Sequence, residues 1–305
     1  MISVAIRIPI KYTIGMTTWL LRQWVATAAT VGAAACGICV AFGAAQAADA
    51  SLWDGDVRSA VRLVAGNAGA DQALRAGIEL RLAAGWKTYW RYPGDSGVPP
   101  VFDFSKSENV KSVAVAWPAP HRFTDNEGST IGYKTGVLLP LRVVPENPQR
   151  PVRLRLNLDY AVCERLCVPA KGTAQLELGR APSPHDAALA AAEARVPTQS
   201  RLGEAGPLAI RSVRREGGPG KAHPRVIVEV AAPAAAPLDL FVEGPTEEWA
   251  LPLPDLVDGA PPWRRFAFEL DGLPPGADPA AATGARLRFT LVSGERAIEV
   301  TAPLE

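Results

Sequence analysis

The chain is poor in the residues from which metal sites and many hydrolytic centres are built. Its 305 residues include three histidines, His121, His185 and His223, too little material for a histidine-built metal site. It has no Gly-x-Ser-x-Gly elbow, no His-Glu-x-x-His pair and no phosphate-binding glycine loop, so the common hydrolase and nucleotide signatures are missing. Gly94-Asp95-Ser96-Gly97 superficially matches a serine nucleophile motif, but it lies in an early loop with no histidine placed to serve it. An excess of charge is also lacking. Thirty-two Lys and Arg stand against 31 Asp and Glu, whereas nucleic-acid binders usually carry a clear basic surplus. Four cysteines are too few for a disulfide-scaffolded miniprotein. What remains is a chain with 48% apolar and 21% charged residues, long enough for one or two domains with packed cores and not composed for disorder.

The N-terminus reads as an export signal. Arg7, Lys11 and Arg22 are its basic residues, no acid is present, and an alanine-rich apolar run extends from Val25 to Ala45. The run ends at Ala45-Gln46-Ala47, a small-x-small cleavage pattern, so residues 1–47 are expected to be a signal peptide cut after Ala47. Met16 would be a more usual start. An uncleaved anchor is the alternative, since the run is about long enough to span a bilayer; a lipoprotein reading of Cys36 lacks the large aliphatic residue three positions upstream. Cys36-Gly37-Ile38-Cys39 has redox spacing, but it lies within a segment expected to be removed. Without that segment 29 basic residues face 31 acidic ones, two cysteines remain, and no other apolar run reaches about 18 residues. The expected location is an oxidising bacterial periplasm with no stable membrane insertion after cleavage.

The rest of the chain is dominated by alternating apolar and polar residues, the period of half-buried strands. In Arg153-Leu154-Arg155-Leu156-Asn157-Leu158-Asp159-Tyr160, Leu154, Leu156, Leu158 and Tyr160 share one face. Gly77–Leu82, Gln175–Leu178, Arg225–Val230, Arg265–Leu270, Arg286–Leu291 and Arg296–Val300 alternate in the same way. Turn sequences separate them, at Tyr92–Gly97, Pro145–Pro148 and Leu273–Gly276. One segment departs from the pattern: Ser183-Pro184 is a cap and first turn, the alanine-rich stretch from His185 to Val196 is helical in composition, and Pro197 stops it. The expected fold is all-β, with two antiparallel β-sandwiches at 49–180 and 205–305 joined by a short helical linker at 181–204.

Chemistry concentrates at Tyr160-Ala161-Val162-Cys163-Glu164-Arg165-Leu166-Cys167-Val168-Pro169. Its two cysteines flank a turn between an alternating strand and another strand, where Cβ atoms can approach the ~3.8 Å that a disulfide needs. Three readings stay open. A structural staple closing so short a loop is worth roughly 2 kcal/mol. A redox pair suits a short, strained, easily reduced bond, with Arg165 favouring a thiolate and Glu164 opposing it. A metal site is the weakest, with two cysteines and little histidine to supply four ligands. Trp86, Tyr89 and Trp90 form an aromatic group beside a glycine-rich turn, either core packing or a platform next to the hairpin.

The stretch from Trp117 to Leu178 resembles the N-terminal periplasmic domain of the DsbD thiol–disulfide interchange proteins. The residues that carry the resemblance are Trp117-Pro118, Ile131-Gly132-Tyr133-Lys134, Leu138-Leu139-Pro140-Leu141, Leu156-Asn157-Leu158-Asp159-Tyr160, Cys163 and Cys167-Val168-Pro169. Upstream, Gly85 through Gly97 is similar to the ScsB-like branch associated with copper tolerance, so the likeness covers roughly 50–180. The resemblance implies an immunoglobulin-like fold for the sandwiches and Cys163 and Cys167 as the redox pair, with Cys163 favoured as the attacking thiol by motif position and no cofactor. It implies a thioredoxin-fold periplasmic partner, such as an isomerase, a copper-tolerance protein or a cytochrome c maturation factor. It also implies a separate transmembrane electron donor, since this chain contains none. Two features depart from the family pattern. Only Glu164-Arg165-Leu166 separates the cysteines, where well-known members have five residues. The cap-loop stretch is Phe123-Thr124-Asp125-Asn126-Glu127-Gly128, with Asn126 near the family's capping aromatic. Phe123 or Tyr133 are then the candidate shields, Asp125 and Glu127 candidate tuning acids, and Tyr160 a supporting residue. The competing expectation is a non-catalytic immunoglobulin-like binding or chaperone module with a structural Cys163–Cys167 bridge.

Overall fold

The computed structural model describes residues 48–69, 72–94, 97–125, 128–217, 224–234, 236–277 and 282–305. The expected signal segment 1–47, with its cleavage site and Cys36-Gly37-Ile38-Cys39, lies outside the described residues, as do Asp95, Ser96 and His223.

The strands of the first half are β1 (Asp54–Gly55), β2 (Ser59–Ala68), β3 (Leu74–Leu82), β4 (Lys87–Gly94), β5 (Val101–Asp103), β6 (Val110–Val115), β7 (His121–Asp125), β8 (Gly128–Lys134), β9 (Gly136–Pro145), β10 (Val152–Cys163) and β11 (Cys167–Leu178). Helix α1 (Asp186–Ala194) follows. The second half contains β12 (Thr198–Ser200), β13 (Ala209–Glu216), β14 (Arg225–Ala231), β15 (Leu238–Glu243), β16 (Asp255–Asp258), β17 (Trp263–Glu269), β18 (Arg286–Ser293) and β19 (Arg296–Pro303). Every alternating run in the sequence falls on one of these strands, except that Leu270 lies just past the end of β17.

The strands build two pairs of sheets. In the first half the orders are β1-β2-β3-β9-β6 and β11-β10-β4-β8-β7, with β5 pairing to β10. In the second they are β12-β19-β18-β15 and β13-β14-β17-β16. The pairing is antiparallel apart from β12, which runs parallel to β19. The alternation of β10 decides its orientation: Leu154, Leu156, Leu158 and Tyr160 are all buried. Each such side chain removed from water contributes roughly 1.5–3 kcal/mol, so a one-residue slip of register would expose the whole set.

The segment expected as a linker contacts both halves. Its helix packs on β2 and β9 of the first half, and its β12 already belongs to a sheet of the second. The helix begins at Asp186, with His185 at its cap position and without a side-chain bond of its own. Ser183 serves the start from two residues before, its Oγ accepting the His185 N–H at 3.2 Å, while the Asp186 carboxylate accepts the backbone N–H groups of Ser183 and Asn67 at 2.8 Å each. A carboxylate reaching out of the first turn thus ties the helix start to β2. The two halves also share apolar packing, because Phe241, Leu253 and Val292 complete the first core.

Candidate functional site

The site sits at the open end of the β10–β11 hairpin. Twelve residue pairs run from Val152↔Leu178 to Cys163↔Cys167, and Glu164, Arg165 and Leu166 close the turn, all exposed. The ladder register sets the two cysteines opposite each other. Their sulfurs are 2.8 Å apart as free thiols, with the Cys167 S–H donating to Cys163. The two are unequal. Cys163 is 6% exposed, whereas Cys167 is open to solvent.

Beside them runs β4. Lys87 is the partner of Cys163 in register and Thr88 that of Val162, and the Thr88 hydroxyl donates to the Ala161 carbonyl at 2.9 Å. These contacts bring Tyr89 over the pair, with its phenol oxygen 2.7 Å from Cys167 Sγ. Tyr89, Ala161 and Cys163 form a small buried cluster of their own, on the face of the sheet opposite the main core. The shield of the buried sulfur is therefore Tyr89. Two glycines make room for it. A Cβ on Gly97 would stand 2.7 Å from Tyr89 Cδ1, and one on Gly132 only 1.9 Å from the Thr88 carbonyl oxygen, so β8 packs against β4 at a distance that excludes any side chain there.

The electrostatics follow from burial. Desolvation pushes the Cys163 thiol above its ordinary value; the neighbouring Cys167 adds to this, while the Tyr89 hydroxyl and the Lys87 charge oppose it. Burial, and then hydrogen bonding to the two thiols, holds the Tyr89 phenol well above its usual range. Tyr89 therefore keeps its proton and can donate it to a sulfur that becomes a thiolate. Lys87 is itself buried, with its ammonium 3.3 Å from Thr130 Oγ1, and its charge favours a thiolate at Cys163.

The residues singled out in the sequence separate into distinct places. Cys163 and Cys167 come together with Tyr89. Of the aromatic group around it, Trp90 is fully buried in the first core and Trp86 packs against that core beneath the Arg58 guanidinium. Phe123 lies on β7, half-buried, with the ammonium groups of Lys134 and Lys87 at 4.5 and 5.9 Å from its ring. Its link to the cysteines runs through Lys87. Tyr133 is in the core, 3% exposed, and donates to the Pro118 carbonyl at 2.8 Å, so it is turned away from a shielding position. Tyr160 is also a core residue, bonded to Ser59 Oγ at 2.8 Å. Arg165 is exposed at the turn. Asp125 ends β7, where it pairs with Gly128; its side chain, Asn126 and Glu127 lie outside the described residues. Lys87 escaped the sequence reading, because a lysine within an aromatic run gives no sign of which sulfur it will face. Among the described residues no group of three or more His, Cys, Asp or Glu side chains is placed to hold a metal ion.

Comparison with known proteins agrees with this arrangement. Residues 57–178 match the family model described as thiol:disulfide interchange protein DsbD, N-terminal; the match ends with β11 and contains both cysteines. No curated protein sequence matches the chain. Among solved structures, the crystal structure of the N-terminal periplasmic domain of ScsB from Proteus mirabilis is similar, with a TM-score of 0.65 and 21% identity over 84% of this chain and 98% of that one. That likeness extends through the second half and establishes the fold there. The segment that carries the cysteine hairpin thus matches the DsbD N-terminal family of thiol:disulfide interchange domains, within a chain whose two-sandwich fold is similar to that of the ScsB N-terminal domain.

Proposed function

We propose that the chain is a periplasmic thiol–disulfide exchange module. It takes electrons from a separate membrane partner of DsbD or ScsB type and passes them to thioredoxin-fold proteins through Cys163 and Cys167. The observation that carries this reading is the pair itself: two thiols in bonding reach across a three-residue turn, one buried and one open.

The exposure of the pair favours Cys167 as the sulfur that meets the partner, in place of the Cys163 assignment suggested by motif position. In the reducing direction the Cys167 thiolate attacks one sulfur of the partner disulfide. A Cys167–partner bond forms, the partner S–S bond breaks, and its other sulfur leaves as a thiolate. Cys163 then loses its proton and attacks Cys167 Sγ, which forms the intramolecular disulfide and releases the second partner sulfur. Two electrons pass to the partner, and two protons leave the Cys163–Cys167 dithiol for it by way of solvent. The donor restores the dithiol by the same steps reversed. Tyr89 supports the first step by donating to the Cys167 sulfur. Desolvation keeps Cys163 protonated until its turn, so the resolving sulfur does not compete for the incoming disulfide.

Trapping tests the assignment. A Cys163→Ala variant cannot resolve, so it should accumulate a mixed disulfide through Cys167 with a thioredoxin-fold protein carrying an oxidised Cys-x-x-Cys pair. Cys167→Ala should accumulate little. The reverse pattern would return the attack to Cys163. Failure of both variants, with a wild-type pair inert to dithiols, would leave a binding module with a structural cysteine pair.

A further inference from the structure

The second sandwich contains no cysteine, yet it grips the strand that holds Tyr89. The ladder between β4 and β8 breaks immediately after that residue. Tyr89 pairs with Gly132 and Gly94 with Thr130, so Trp90, Arg91, Tyr92 and Pro93 are opposed by Ile131 alone. This long bulge carries a stretch of β4 out of regular register with β8. Three of its side chains contact the second half. Trp90 meets Phe241 at 5.8 Å between ring centroids. Arg91 donates to Glu243 at 2.7 and 3.0 Å and also pairs with Glu299. The Tyr92 hydroxyl donates to the Leu251 carbonyl at 2.9 Å.

The sequence of β15 explains how one strand does this. Leu240 and Val242 lie in the second core, while the alternate residues Asp239, Phe241 and Glu243 share the other face. Phe241 enters the first core and Glu243 takes Arg91. Asp239 takes Arg122 at 2.7 Å, and Arg122 also donates to the carbonyls of Leu240 and Pro254 at 3.2 and 2.8 Å. Arg122 directly precedes Phe123 on β7. Gln199 of β12 donates to Glu299 at 2.7 Å, which braces the second carboxylate on Arg91. A ladder gap beginning beside the reactive sulfurs is thus filled by side-chain contacts from another sheet.

We propose that the second sandwich is a positioning clamp, in which Phe241 and Glu243 of β15 hold the bulged part of β4 so that Tyr89 stays against Cys167. The inference rests on the exchange reading above. Tyr89 donates to the reduced sulfur, and a disulfide sulfur is a poorer acceptor, so loosening the clamp should favour the oxidised pair.

The test is the equilibrium constant for oxidation of the pair by glutathione, measured for the wild-type chain and for Tyr89→Phe, Phe241→Leu, Glu243→Gln and the Phe241→Leu/Tyr89→Phe double variant. Tyr89→Phe should raise the constant about three- to tenfold, the worth of one hydrogen bond. Phe241→Leu, which keeps an apolar side chain but removes the ring that meets Trp90, should raise it in the same direction. Glu243→Gln should do so less, because Glu299 still holds Arg91. The double variant should match Tyr89→Phe alone, the non-additivity of residues acting through one contact. Asp258→Asn, which breaks an ion pair with Arg265 within the second half, should leave the constant unchanged. Constants within twofold of wild type for both clamp variants, no shift for Tyr89→Phe, or multiplying shifts in the double variant would each overturn the clamp. A wild-type pair that does not equilibrate with glutathione would instead overturn the exchange reading beneath it.

Discussion

Two of the protein's long antiparallel hairpins end differently. In the second half β18 and β19 pair through eight positions, from Arg286↔Pro303 to Ser293↔Arg296. Gly294-Glu295 closes that turn with Gly294 at φ +60°. A two-residue turn led by glycine at positive φ is the ordinary solution for a hairpin. In the first half β10 and β11 pair through twelve positions and end at Cys163↔Cys167, closed by three exposed residues and no glycine. One turn only reverses the chain, and its last pair is a serine and an arginine. The other turn holds two sulfurs at contact distance, covers one with Tyr89 and leaves the other open. Length of ladder and strand alternation are common to both. The chemistry comes from what borders the open end: a neighbouring strand with a tyrosine, a buried lysine and a bulge.

The sharpest way to break the comparison is to remove the open sulfur. Cys167→Ser should abolish exchange with a thioredoxin-fold partner, whereas Ser293→Ala at the other hairpin's end should leave the rate unchanged; a stopped-flow partner assay reads both. The next largest effect concerns support under the site. Gly132→Ala places a Cβ against the Thr88 carbonyl and should cost about 3 kcal/mol, read as a lower midpoint in urea with the slope preserved.

A third prediction concerns pH. The folded Cys163 thiol is raised above its unfolded value by burial, so its contribution to dithiol stability is complete below the ordinary thiol pKa and is lost as pH rises through the folded one. The resolving step should correspondingly accelerate about tenfold per pH unit up to alkaline pH, as quenched-flow decay of the mixed disulfide would show. A plateau at neutral pH would mean that burial does not govern the resolving thiol. The smallest effect belongs to the control hairpin: Gly294→Ala should cost about 1 kcal/mol for its positive φ and leave exchange untouched.

Much of this was legible in residue order. Strands read clearly wherever one face is buried, because Leu154, Leu156, Leu158 and Tyr160 must share a side. The cysteine pair stood out by scarcity. Alternation also assigned Tyr160 inward, where it bonds Ser59. What it did not distinguish was Tyr89 from Trp90. They are adjacent, both aromatic and both buried, and only the pairing of β4 with β10 shows that one faces the sulfurs and the other the core. Tyr133 was a plausible shield on the same footing and is a core residue. The ladder gap at Trp90–Pro93 was also invisible, because the sequence Trp-Arg-Tyr-Pro reads as the approach to a turn. Its structural meaning depends on Phe241 and Glu243, about 150 positions further along the chain. Contacts of that range have no local signature. The helix start was legible in part: Ser183 accepts the His185 N–H, but the reach of Asp186 to Ser183 and Asn67 at once has no local sign.

One titration bears most directly on the claim that the hairpin's bond is made to be exchanged. The purified protein is equilibrated in glutathione buffers of graded potential, and the free thiols of Cys163 and Cys167 are trapped and counted. A working exchange pair should pass from dithiol to disulfide at potentials above about −300 mV, within the range spanned by thiol–disulfide carriers. A pair that stays oxidised in buffers more reducing than that would be a structural bridge, and the account would be contradicted.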